Sequence, residues 1–213
     1  MLLSSSPIRR RTFSCLRGDL TIRGTEYRPN GEKLPIAIVC HGFMANQQTV
    51  RQYARVLAQS LPYTGDMLLL MGCSQGGMVS ALTAAKHPEM VDRLVLFYPA
   101  FCIPDDARAG HMMFAHFDPR NVPEKIHCGP MLLGRCYPEA VMHMDIFREI
   151  APYTGRVLII HGTADGIVKP DYAKKAAKAY ANAELHLIDG GAHGFNRRHD
   201  AEAIRYLTDF AAL

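Results

Sequence analysis

Apolar residues along this chain fall into two patterns, short continuous runs and longer stretches with helical spacing, and the two alternate. Pro35 to Cys40, Met67 to Met71, Arg93 to Tyr98, Arg156 to Ile160 and Leu185 to Ile188 are largely apolar runs of strand length. Continuous runs, rather than strict apolar–polar alternation, mark strands buried on both faces. Gln47 to Ser60 instead carries Val50, Tyr53, Ala54, Leu57 and Ala58, which is helical spacing. Helices are likewise predicted over residues 77–86, 170–181 and 199–212. Residues 11–29 hold two β-like runs on either side of Arg17-Gly18-Asp19, an antiparallel hairpin. Strands alternating with helices predict an α/β fold with a mostly parallel sheet, as one domain over 1–213.

The alternation stops between Ala100 and Ala151. This stretch is rich in Pro, Met and His, and Met112, Met113, Met131, Met142 and Met144 are five of the eleven methionines. Fifty residues are too many for a simple loop, so residues 101–150 are read as an inserted cap subdomain. Flexible thioethers suit an apolar pocket that adapts to its ligand, or fill the seam between cap and core; both readings stand. Pro-Tyr-Thr-Gly occurs at 62–65 and again at 152–155, each time just before an apolar strand, as one turn chemistry used twice.

Composition narrows the partners. A net charge of +4, with no basic run beyond Arg9-Arg10-Arg11, gives no footprint for nucleic acid or an anionic membrane. Residues Met1 to Pro7 make a poor signal peptide, and no apolar run approaches the roughly 18 residues of a membrane span. Six cysteines without CxxC pairs read as buried free thiols in a reducing cytoplasm.

Chemistry enters at Gly72-Cys73-Ser74-Gln75-Gly76, a G-x-S-x-G between a predicted strand and a predicted helix. A serine on so sharp a turn needs small neighbours. Ser74 is the expected nucleophile, and it needs a base within hydrogen-bond reach. Of ten histidines, His193 sits in the small-residue loop Gly190-Gly191-Ala192-His193-Gly194, just after the last predicted strand. Asp165, in His161-Gly162-Thr163-Ala164-Asp165, is expected to orient that imidazole. Its competitors, Asp171 and Asp189, have ordinary places at a helix start and a strand end, and His41 and His161 are read as structural. The order Ser…Asp…His is that of the α/β-hydrolases. Oxyanion donors are expected from the backbone N–H groups of Gln75 and Phe43. Cys73 occupies an x position and is not the nucleophile. His111, His116, His127 and His143, with Cys128 and Cys136, match no familiar zinc spacing, so neither metal nor cofactor is expected.

The segments His41-Gly42-Phe43-Met44-Ala45-Asn46, Cys73-Ser74-Gln75-Gly76-Gly77 and Tyr98-Pro99-Ala100 resemble the bacterial cinnamoyl (feruloyl) esterases. So do Ile103-Pro104-Asp105-Asp106-Ala107-Arg108, Phe117-Asp118-Pro119 and the Asp165 and His193 motifs, so the resemblance runs from about residue 12 to the end. It implies an α/β-hydrolase fold and a serine esterase acting on small aromatic acyl esters through an acyl-enzyme. It also implies a cap that binds the phenolic oxygens of a hydroxycinnamoyl ring, and by position Asp106 and Tyr137 resemble those groups.

One departure stands out. Only 33 positions separate His41 from Ser74, about half of what the resemblance implies. A strand and a helix are missing between residues 58 and 66, and in the family's sheet order that strand lies between the hairpin and strand 35–40. The hairpin is then expected to lose its partner, leaving an open sheet edge and uncovered apolar surface. That leaves homo-oligomerisation open. Two further readings stay open beside the feruloyl-type esterase: hydrolysis of short aliphatic acyl esters, and a catalytically silent, truncated hydrolase fold.

Overall fold

The computed structural model describes residues 7–61 and 65–212. The leader reading of residues 1–6 and most of the first Pro-Tyr-Thr-Gly turn, residues 62–64, fall outside them. Strands β1 (Arg9–Arg17) and β2 (Leu20–Arg28) form the expected hairpin, and β3 (Ile36–Cys40) follows. A 3-10 turn over Gln47–Val50 leads into α1 (Arg51–Ser60), β4 (Leu68–Cys73), α2 (Gln75–Lys86) and β5 (Arg93–Phe97). Next come α3 (Ile103–Arg108) and two small hairpins, β6 (His111–Met112) with β7 (Ala115–His116) and β8 (Lys125–Cys128) with β9 (Met131–Gly134). Helices α4 (Cys136–Val141) and α5 (Ile146–Ile150) precede β10 (Arg156–Gly162), α6 (Pro170–Ala179), β11 (Ala183–Ile188) and α7 (Arg197–Ala212).

Five strands pair in the order β11-β10-β5-β4-β3, every neighbour parallel. Because successive side chains of a strand point to opposite faces, each continuous apolar run feeds two layers. Leu69 and Met71 of β4, Val95 and Phe97 of β5, and Leu158 and Ile160 of β10 pack with Tyr53 and Leu57 of α1 and Leu207 and Phe210 of α7. Leu70, Leu94, Leu96, Val157 and Ile159 pack on the other face with Met78 and Ala81 of α2 and Ala173 and Ala176 of α6. Each such fully buried side chain contributes about 1.5–3 kcal/mol. The ends of the α1/α7 layer are tied by polar contacts. Tyr53 OH donates to Asp200 Oδ1 at 2.5 Å, and the Arg93 guanidinium caps the α7 carbonyls of Phe210 and Ala211 at 3.0 and 2.8 Å.

The shortening shows at the edge of the sheet. The apolar run of β3 predicts a strand buried on both sides, yet β3 is an edge strand, with Ile36 60% and Ile38 47% exposed. Helix α1 runs almost directly into β4, so no strand covers the outer side of β3 among the described residues. The hairpin pairs only with itself, β1 with β2, and it touches the core chiefly through α1 and a Thr25–Gln47 hydrogen bond of 3.0 Å. The reading of all six thiols as buried is corrected: Cys15 and Cys136 are exposed, because Cys15 lies on that unpartnered hairpin and Cys136 opens α4 at the surface. No helix of the described residues is long and apolar enough to cross a membrane.

Candidate active site

Ser74 stands between β4 and α2 with φ 55° and ψ −122°, a left-handed conformation that costs a non-glycine residue of order 1–3 kcal/mol. The surroundings hold it there. Its N–H donates to Phe97 O at 2.9 Å, and its carbonyl accepts from Gly77, Met78 and Ala100. The two motif glycines are required by contact. A Cβ on Gly72 would overlap the Gly76 carbonyl, and one on Gly76 would overlap the carbonyls of Cys40 and His41. Thus β4, β5 and the end of β3 converge on one hydroxyl.

His193, in the loop after β11, reaches that hydroxyl, its Nε2 lying 2.9 Å from Ser74 Oγ. Its Nδ1 lies 2.8 Å from Asp165 Oδ2. An ionised carboxylate only accepts, so Nδ1 carries the proton and Nε2 offers its lone pair to the Ser74 hydroxyl, which donates. Asp165 lies in the loop after β10 and its side chain is wholly buried. Burial alone would raise its carboxyl, but donors from His161, His193 and the Val168 N–H outweigh that and hold it well below the usual carboxylate range. Its Oδ1 accepts from the N–H groups of Ile167 and Val168, both at 2.9 Å.

His161 belongs to this site, contrary to its reading as a purely structural residue. Fully buried at the end of β10, it brings Nε2 to 3.2 Å from Asp165 Oδ2 and 2.9 Å from Val168 O. Both neighbours are acceptors, so Nε2 carries the proton; it donates to Val168 O and keeps that N–H beside the Asp165 carboxylate. The only advance signal was its spacing, four residues before Asp165. Tyr98, also missed, packs edge-on against the His193 ring at 4.9 Å and is wedged by Phe195 on its other side. Asp171 and Asp189 take the ordinary roles read for them, pairing with Lys174 and accepting from Thr163 Oγ1.

A cavity of about 270 Å³ opens at Ser74. The Phe43 loop forms one wall: a Cβ on Gly42 would stand 3.0 Å from the Ser74 Cβ, so the chain there passes directly beside that serine. The Gln75 N–H opens α2 and has no acceptor within the helix. Asp106 of α3 and Tyr137 of α4 lie on the same cavity, with Ile103, Met112, Met113 and Phe114 among its apolar lining. Of the five methionines singled out, Met112 and Met113 line this space, while Met142 is buried in the core. Gln75 Nε2 donates to Tyr137 OH at 2.5 Å, which leaves the phenolic proton free to donate into the cavity. Burial pushes the Asp106 carboxyl up, against the lowering pull of the Cys102 thiol and of His111, whose Nε2 lies 3.5 Å away.

The family model described as serine hydrolase (FSH1) matches residues 39–201. No curated protein matches the sequence. Among solved structures, Est1E from Butyrivibrio proteoclasticus superposes with a TM-score of 0.79 at 23% identity, over 93% of this chain and 96% of that one. Est1E with ferulic acid bound gives 0.73 at 22%, over 99% and 97%. An esterase domain from a Rhodothermus marinus protein gives 0.73 at 15%, over 96% and 98%. At such identities the likeness is one of fold, and that fold is the α/β-hydrolase.

Proposed function

The chain belongs to the FSH1 serine hydrolase family, and from that premise we propose that it hydrolyses carboxylic esters with a hydroxycinnamoyl-type acyl group. In this reading Ser74 is the nucleophile. Its oxygen attacks the ester carbonyl while His193 Nε2 takes the hydroxyl proton, and Asp165 holds the tautomer and stabilises the imidazolium. The carbonyl oxygen, now negative, accepts from the backbone N–H groups of Phe43 and Gln75. As the tetrahedral species collapses, His193 returns the proton to the departing alcohol and an acyl-enzyme remains. A water that gives its proton to His193 then attacks the acyl carbon, and the carboxylic acid leaves as Ser74 is restored.

Segment 101–150 acts in this proposal as a cap within a single domain. The observation that carries the substrate class is that Asp106 and Tyr137 share the largely apolar cavity of Ser74, an acceptor and a donor available to ring oxygens. Its likeness in fold to Est1E, of which a structure has ferulic acid bound, supports the same reading. The setting that goes with this proposal is a reducing cytoplasm, as expected for six cysteines without CxxC pairs. The deciding experiment is hydrolysis of methyl ferulate beside methyl butyrate by the wild type and Ser74→Ala. Ferulate turnover lost in the variant upholds the proposal. Turnover of butyrate alone keeps the nucleophile and replaces the substrate class with short aliphatic esters. A folded wild type with no turnover overturns the catalytic reading in favour of a silent fold.

A further inference from the structure

A second cavity, of about 1100 Å³ and larger than the one at Ser74, lies elsewhere. It separates the N-terminal hairpin from the sheet and is walled by β2, β3, α1 and the start of α2. Among the described residues, β2 on one side pairs with β1 alone, and β3 on the other pairs with β4 alone. The Ile36 N–H bonds towards β4, to Met67 O at 2.8 Å. Main-chain groups alternate sides along a strand, so those of Ala37 and Val39 point away from β4, and both residues line the cavity. The space thus lies between two strands that each leave one ladder unmade.

Its other walls are apolar above and below. Leu57 and Leu61 line it from the α1 layer, and Ile38 and Val79, each about half exposed, line it from the α2 layer. Charge is uneven. Glu26 pairs with Arg28 at 3.8 Å, while Arg11, Arg23, Lys33 and Arg51 face only Glu32 and Asp66 as further carboxylates among the lining residues.

We propose that this cleft is a docking site for one extended strand of an acidic polypeptide, which completes the ladders of β3 and β2 with its main chain. A lipid chain would fill the apolar walls but leave the outward amides and carbonyls of Ala37 and Val39 without partners, so the open ladders select a polypeptide. A second copy is disfavoured by charge. The exposed hairpin it would offer carries Arg9, Arg10, Arg11, Arg17, Arg23 and Arg28 against Asp19 and Glu26, the same sign as the cleft. An acidic strand has the complementary sign.

Docking there reaches the candidate active site. The cleft is also lined by His41, Gln75 and Gly76, and β3 runs straight into the His41-Gly42-Phe43 loop. Holding β3 from both sides steadies the loop that supplies the Phe43 N–H, so a bound strand raises turnover. This consequence rests on the esterase reading, whereas docking itself does not.

The probe is a labelled synthetic peptide whose centre alternates valine and threonine and whose ends carry glutamates, read by fluorescence anisotropy. Controls are a version with a central proline, a version with lysines for glutamates, oleate, and the variant Ile38→Glu, whose half-exposed site tolerates a charge. The expected result is saturable binding to wild type that weakens about tenfold or more with proline, with lysine and with Ile38→Glu. Equal binding of the proline peptide, or no peptide binding at all, overturns the proposal. Oleate binding without peptide binding makes the cleft a lipid site. A dimer by light scattering that shields the Ala37 and Val39 amides from exchange makes the occupant a second copy. Peptide binding with p-nitrophenyl acetate turnover unchanged upholds docking and overturns only its coupling to the oxyanion loop.

Discussion

His161 and His193 bring ring nitrogens to the same oxygen of Asp165, Oδ2, at 3.2 and 2.8 Å. The buried carboxylate is therefore held between the histidine that faces Ser74 and one that is fully buried. On the proposed reading His161 is a positioning residue.

Replacing His161 by Leu removes that second N–H. Asp165 is then held on one side fewer and orients His193 less firmly, so kcat falls while KM for methyl ferulate holds. A role confined to packing would lower stability and leave the kcat of the folded enzyme unchanged. The Val168 carbonyl also loses its side-chain donor, which costs about 1–3 kcal/mol by chemical denaturation. His161→Gln, which keeps a donor, restores part of both.

Strain at Ser74 separates chemistry from stability. Ser74→Ala and Ser74→Gly both abolish turnover, but only glycine adopts φ 55° without cost. Ser74→Gly is therefore expected to be more stable than Ser74→Ala by about 1 kcal/mol, read as a higher midpoint in urea. Equal midpoints would mean that the surrounding hydrogen bonds carry no strain.

On the proposed reading Asp106 trades stability for selectivity. Burial raises its carboxyl, which means the folded state disfavours the charge it carries at neutral pH. Asp106→Asn is expected to stabilise the protein at pH 7, and that gain vanishes once the pH falls below the carboxyl's unfolded value of about 3.9. In the same variant, KM for methyl ferulate rises while KM for methyl cinnamate, which lacks ring oxygens, holds. Tyr137→Phe gives the same split but lowers stability, because Gln75 Nε2 loses its acceptor. Matching losses on both esters would remove these residues from ring recognition.

Asp165 behaves in the opposite sense. Its folded carboxyl lies below the unfolded value, so its stabilising contribution is fully present above about pH 4 and declines as the pH falls towards the depressed folded value. Thermal midpoints of Asp165→Asn should therefore lie below wild type at neutral pH and converge with it in strong acid. Parallel curves would show that the four donors around this carboxylate make no net difference between its charged and neutral forms.

The central strands and the turn at Ser74 were legible from residue patterns for one reason: their constraints are local. A continuous apolar run such as Leu94 to Phe97 reports burial on both faces, and Gly72 and Gly76 report a turn too tight for a Cβ. Where the constraint depends on a distant neighbour, the pattern fails. Ile36 to Cys40 has the composition of an interior strand and lies at the edge, because composition does not register the loss of an adjacent strand. The contacts of His161 with Asp165 and of Tyr98 with His193 depend on how two loops fold over one sheet edge. Their residue types alone carry no trace of that meeting.

Ser74, Asp165 and His193 are suspended from β4, β10 and β11, all on the same side of β3. A deletion beyond β3 thus removes material from the flank of the sheet without altering the spacing of these three groups. Loss of β5 itself, which lies between β4 and β10, would pull Asp165 out of register with Ser74. The sheet is unequal in what it lets evolution trim: one flank is expendable geometry, while the other is a frame whose loss ends the chemistry outright.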